Sequence, residues 1–209
     1  MKVSNLMLGS ALALLTCGLI SCTKDDNNTG SQGTVNFEVT DAPVDDPNIQ
    51  SVFVTVVAVK VDGTTISDFS SKQTIDLLAY QNGSVKGLGS GKLNGGTYTD
   101  VRLVLDFNAD ASGTGPGCYV LTKDGVKHAL STSANASNEL KSTTALKVTG
   151  NATTTAVFDF DLRKAIQYTS SGTSKYQFVT DAELAAAVRI VNKDEAGSIV
   201  GSFTDALNQ

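Results

Sequence analysis

Cys22 sits in the chemically most specific setting of the chain. Leu19-Ile20-Ser21-Cys22 closes a short apolar run and precedes a polar one. A Leu three positions before a Cys, and a small residue directly before it, match the processing signal of bacterial lipoproteins. In that chemistry the thiolate is the nucleophile that takes a diacylglyceryl group. A peptidase then cuts before the Cys, and the new amine accepts a third acyl chain. Each buried methylene contributes about 0.8 kcal/mol, so one chain anchors marginally and several anchor durably. An ordinary secretory leader with a chance Cys is the plainer alternative.

Acidic residues supply the next candidates. Asp41, Asp45 and Asp46 crowd one loop, and such carboxylates suit a ligand or Ca²⁺. Their spacing is not that of an EF-hand, and solvated turn acids are the simpler reading. Asp159 and Asp161 stand two apart, so on a strand they share a face. Paired carboxylates can hydrolyse glycosides. The duller assignment has Asp161 capping a turn and Asp159 meeting an Arg or a backbone amide.

His128 is the only His, which excludes a zinc site built on several His. It is in phase with Val126 and Leu130 and is expected in the core or at its edge. No Gly-x-Ser-x-Gly elbow accompanies it. Gly87-Leu88-Gly89-Ser90-Gly91-Lys92 lacks the residues of a phosphate loop at both ends and reads as a flexible turn or a bulge. Tyr80, Tyr98, Tyr119, Tyr168 and Tyr176 can stack on sugar rings where exposed, although most should serve the core.

The elements that must position these residues are mostly strands. Residues 34–40 alternate, with Val35, Phe37 and Val39 on one face, and Asp41-Ala42-Pro43 ends the run. Residues 52–61 are β-branched on both faces and predict a long central strand. Asp62-Gly63 signals a hairpin into 64–66, and Asn82-Gly83 a second turn after a strand at 74–78. Residues 98–107 carry the cleanest alternation, with Val101, Leu103, Leu105 and Phe107 facing one way. Residues 108–117 form a loop. A hairpin comes next over 119–130 around Asp124-Gly125. Residues 131–138 read as polar and exposed. Further strands are expected at 140–148, 154–160 and 176–179, with 198–203 closing the domain. Residues 161–166 predict a single helical turn, and 181–187 a short helical turn leading into a strand at 188–191.

The totals narrow the class. A charged start at Lys2 and an apolar stretch over 6–20 are too short for a bilayer span of about 20 residues and describe a leader, residues 1–21. Residues 22–33 have the composition of a polar tether. Residues 34–209 then form one domain. A hydrophobic fraction of 41% is enough for a packed core. The net charge of −5, with no basic cluster, argues against nucleic acid as a partner. Of three Cys, Cys17 leaves with the leader and Cys22 is acylated, so Cys118 has no disulfide partner. The predicted fold is all-β, a two-sheet antiparallel sandwich of the immunoglobulin or transthyretin kind with one or two short helical turns.

Several stretches carry a resemblance. They are Thr40-Asp41-Ala42-Pro43 with the Val-rich strand after it, Gly96-Thr97-Tyr98-Thr99-Asp100-Val101-Arg102-Leu103, Phe158-Asp159-Phe160-Asp161-Leu162-Arg163-Lys164-Ala165-Ile166, Lys175-Tyr176 and Val188-Arg189-Ile190. Together they resemble the lipoprotein family called domain of unknown function 4382, common in Bacteroidota, over residues 33–203. The resemblance implies a β-sandwich on envelope lipoproteins and brings no activity with it. Residues 180–187 depart from the family, which runs almost directly from the Lys-Tyr strand into the Val-Arg strand. Thr23-Lys24-Asp25-Asp26 resembles the surface-export signal of Bacteroidota lipoproteins. The expectation is a non-enzymatic binding or structural module, lipid-anchored to the outer membrane and facing the cell surface, without a cofactor. A glycan-binding or adhesin-like surface protein is the alternative, and a hydrolase built on Asp159 and Asp161 a third.

Overall fold

Val35, Phe37 and Val39 lose all or nearly all of their solvent exposure, and the strand that carries them, β1 (Gln32–Ala42), ends at Pro43. The computed structural model describes residues 30–66, 71–130, 137–170 and 175–197. The expected strand at 198–203 and most of 131–138 lie outside them.

β2 (Ile49–Val61) comes next and turns at Asp62 and Gly63, whose φ values of 48° and 77° make the tight hairpin into β3 (Thr64–Thr65). β4 (Gln73–Asp76) is shorter than the expected 74–78 strand. Asp76 accepts the Leu78 N–H and winds Leu77–Ala79 into a 3-10 turn instead. β5 (Lys86–Asn94) contains the glycine-rich stretch, which is an edge strand with a register shift opposite Phe37 and Glu38. The bulge expectation holds; the flexible-turn alternative does not. Gly91 is required there, because a Cβ would run into the Ile66 carbonyl.

The 98–107 and 140–148 segments each break in two. β6 (Gly96–Tyr98) and β7 (Val101–Leu105) arise from the first, β10 (Glu139–Lys141) and β11 (Leu146–Val148) from the second. They break together, β7 pairing with β10 and β6 with β11. At the second break the Ser142 and Thr144 hydroxyls both accept the Ile190 N–H at 2.8 Å. The chain therefore bends to bond a neighbouring strand. Between these pairs, β8 (Tyr119–Thr122) and β9 (Lys127–Ala129) form the expected hairpin.

β12 (Thr153–Asp161) runs into α1 (Leu162–Ala165), then β13 (Ile166–Tyr168), β14 (Tyr176–Phe178), α2 (Asp181–Ala187) and β15 (Val188–Asn192). α2 begins with the Thr180 N–H and hydroxyl both donating to Glu183, at 3.1 and 2.7 Å. The helical reading of 181–187 thus holds. Asp161 makes no side-chain cap bond at α1, contrary to expectation, because Lys164 takes its carboxylate at 2.9 Å.

The result is a sandwich of two main sheets, with the two-stranded sheets β6-β11 and β13-β14 beside them. One sheet has the order β15-β12-β1-β5; the other is built around β2 with β7, β10, β8, β9, β3 and β4. A single core joins them, with Phe37, Phe158 and Phe160 from the first sheet and Val52, Val54, Leu103 and Leu105 from the second. The antiparallel rule fails at one place. β1 and β12 lie parallel, Thr34 opposite Thr153 through to Ala42 opposite Asp161. The intervening chain builds the opposite sheet before returning, and so long a connection can bring β12 back parallel to β1, which a hairpin cannot do.

Candidate binding ridge

β13 and β14 are three residues each, and Tyr168 lies directly opposite Tyr176 in their ladder. Ile166 and Phe178, paired two residues away, turn into the core and fix the hairpin. Tyr176 is buried, but Tyr168 is 60% exposed. Their rings meet edge to face with centroids 5.4 Å apart, the favourable geometry for two aromatic quadrupoles. The His128 ring of β9 also packs on Tyr176, tilted, at 5.4 Å. The result is a ridge with one ring facing outward.

The expected acidic loop supplies the ridge's support. The Tyr176 hydroxyl donates to Asp46 at 2.9 Å, and the Asn48 backbone N–H and side-chain amide donate to the other Asp46 oxygen at 2.9 and 3.0 Å. The Asn48 N–H first, then the Tyr176 hydroxyl and the Asn48 amide, hold the Asp46 carboxyl below the usual range against the opposing effect of burial. Burial first, and then the adjacent Asp46, pushes Tyr176 up to about 12. Asp45 is exposed nearby, whereas Asp41 is a buried residue of β1. The three acids therefore do not act as one group. Among the described residues no set of three or more His, Cys, Asp and Glu is placed to hold a metal ion.

Two clefts flank the ridge and share Tyr168 and Tyr176. One, of about 240 Å³, is lined by Asn48, Thr122, Lys123, Asp124, His128 and Lys175. The other, of about 190 Å³, is lined by Asp45, Asp46, Ile49, Arg163 and Ile166 among others. In the first, the Thr122 hydroxyl donates to Asp124 and holds its carboxyl below the usual range.

The other candidates sit elsewhere. Asp159 and Asp161 do line one cleft, together with Arg163, Lys164 and Arg189. Arg189 donates twice to one Asp159 oxygen, at 2.8 and 2.6 Å. Burial raises the Asp161 carboxyl, but Lys164 and Arg163 outweigh it and bring it below the usual range. A glycosidase pair needs one carboxyl raised so that it stays protonated as the acid, and Asp161 moves the other way. Cys118 is fully buried, and burial pushes its thiol up to about 12, so it is a core residue and no nucleophile. Tyr119 stacks on Phe53 at 4.7 Å, and the Tyr98 hydroxyl donates to the Asn94 carbonyl. Cys22 lies outside the described residues. None of the helices among the described residues is long and apolar enough to cross a membrane.

Sequence reasoning named Tyr168 and Tyr176 among five tyrosines, and Lys175-Tyr176 among the stretches of the resemblance, but gave them no shared site. It missed Asn48 and the parts played by Lys175 and His128, because the ridge gathers residues from three separated segments. The available signal was Tyr168 itself, an aromatic at the end of a very short strand that is followed by polar residues.

Residues 32–180 match the model of the family described as Domain of unknown function (DUF4382), and the chain belongs to that family. The match stops at Thr180, the residue that opens α2, where the sequence departs from the resemblance. No curated protein matches the chain. No solved structure matches it either.

Proposed function

We propose that this family member is a lipid-anchored envelope protein of Bacteroidota, held at the outer membrane and facing the cell surface, and that it is a non-enzymatic binding module. The anchor is Cys22, acylated after removal of residues 1–21. The tether runs from it to β1, which begins at Gln32 and so takes in the last two residues of the expected 22–33 tether.

One observation carries the reading. The tether enters at the start of β1, where the Ser31 carbonyl accepts the Gly95 N–H and the Gln32 carbonyl the Asn151 N–H. The tyrosine ridge is built from segments just beyond the far ends of β1 and β12, which run parallel. β1 has eleven residues and so spans about 35 Å at the usual rise per residue. A protein fixed at Cys22 would thus present the ridge on the side away from the membrane. The neutralised Asp159 and Asp161 pair favours binding over hydrolysis.

Replacing Cys22 with Ser tests the anchor. The variant is expected to keep its leader and carry no acyl chains, since the processing chemistry needs the sulfur. Unchanged membrane fractionation with the leader still removed before residue 22 would contradict it.

A further inference from the structure

We propose that the ridge takes a neutral saccharide chain, one unit stacked on Tyr168 and its neighbours reaching into the two flanking clefts. This names the ligand class of the binding face inferred above and rests on that reading.

The exposed Tyr168 ring is the first reason. Its edge contact with Tyr176 holds it in place, and Tyr176 is held in turn by Asp46 and His128. A fixed ring with an open face presents the negative side of its quadrupole. The C–H bonds along one face of a pyranose are weakly positive and flat enough to cover it. Little side-chain freedom remains to be lost on binding, which favours affinity.

The second reason is the polar surround. A sugar hydroxyl both donates and accepts, so it needs both kinds of partner within reach. Asp45, Asp46 and Asp124 accept, Lys123, Lys175 and Arg163 donate, and Asn48 does both. Three carboxylates and three cations line the two clefts, so neither sign prevails. A polyphosphate would meet three carboxylates, and nucleic-acid binding needs the opposite balance. A hydrocarbon ligand would strip water from charged groups without replacing it.

The third reason is shape. Each cleft is smaller than the ~300 Å³ at which pockets for drug-sized ligands begin, and they meet at the ridge. That suits a chain of small units laid across a ring rather than one compact molecule.

The test uses the full-length protein in detergent micelles against immobilised tetrasaccharides of glucose, mannose, galactose and N-acetylglucosamine, alongside a panel of extended peptides. The native protein is expected to hold at least one tetrasaccharide. Tyr168→Ala should weaken that binding at least tenfold, and Tyr168→Phe, which keeps the ring, should stay within a few fold. Thermal melting should be unchanged in Tyr168→Phe and lowered by only a few degrees in Tyr168→Ala, which loses the edge contact with Tyr176. Failure to hold any tetrasaccharide overturns the saccharide assignment. Peptide binding lost in Tyr168→Ala, without saccharide binding, overturns it too but leaves the ridge as a binding face. Saccharide binding that Tyr168→Ala does not touch overturns both.

Discussion

Tyr176 shows how one side chain serves fold and site together. Its ring closes the core beneath β13 and β14, while its hydroxyl reaches Asp46 in the loop after β1. Tyr176→Phe keeps the packing and removes the bond, so it should cost about 1 kcal/mol at neutral pH, read from urea unfolding. The pH dependence has a defined sign at each end. The Asp46 carboxyl is depressed in the folded protein, so its contribution is present above the ordinary Asp range and is lost as pH falls through the lowered value. Tyr176 is raised to about 12, so its contribution is present below about 10, where an unfolded tyrosine ionises, and is lost as pH rises through about 12. Tyr176→Phe should reduce the alkaline dependence, leaving the part set by the raised Cys118 and Tyr98, and reduce the acid one. An unchanged alkaline profile in the variant would mean another group sets it. None of this was legible from the sequence, where Asp46 and Tyr176 stand far apart and the Asp46 loop suggested calcium. Cys118 was legible as a cysteine without a disulfide partner, and the structure buries it in the core.

At the scale of elements, alternation did most of the predictive work. β1 could be placed from apolar residues at every second position, and β2 from a run that is β-branched on both faces. Periodicity could not show where a long strand breaks, because Ser142 and Thr144 bend the chain by bonding Ile190, a partner remote in sequence. Nor could it show that β1 and β12 run parallel, since residues alternate in the same way in either direction. The glycine-rich β5 hid its strand character because its reason is steric and lies on another element. Gly91→Ala tests that reason. The added methyl must displace the Ile66 backbone, and the expected loss is about 1–3 kcal/mol, the usual range for overpacking. An unaltered urea midpoint would show that the close approach of these two segments is not maintained in solution. α2 was legible from its Ala, Leu and Glu content, with Thr180 and Glu183 at the spacing of a capping box.

At the scale of the molecule, the parallel β1 and β12 pair gives the sandwich a polarity. Ser31 and Gln32 lie at one end of it, and the ridge, the two clefts and α1 gather at the other. That polarity turns a proposal about one cysteine into one about orientation, because a chain held by residue 22 carries its aromatic ring outward. The whole account therefore stands on the chemistry at Cys22, which mass spectrometry of the N-terminal peptide of the membrane-extracted protein tests most directly. The account predicts a peptide that begins at Cys22 and carries the mass of its acyl chains. A peptide that begins elsewhere, or that contains an unmodified Cys22, would contradict it.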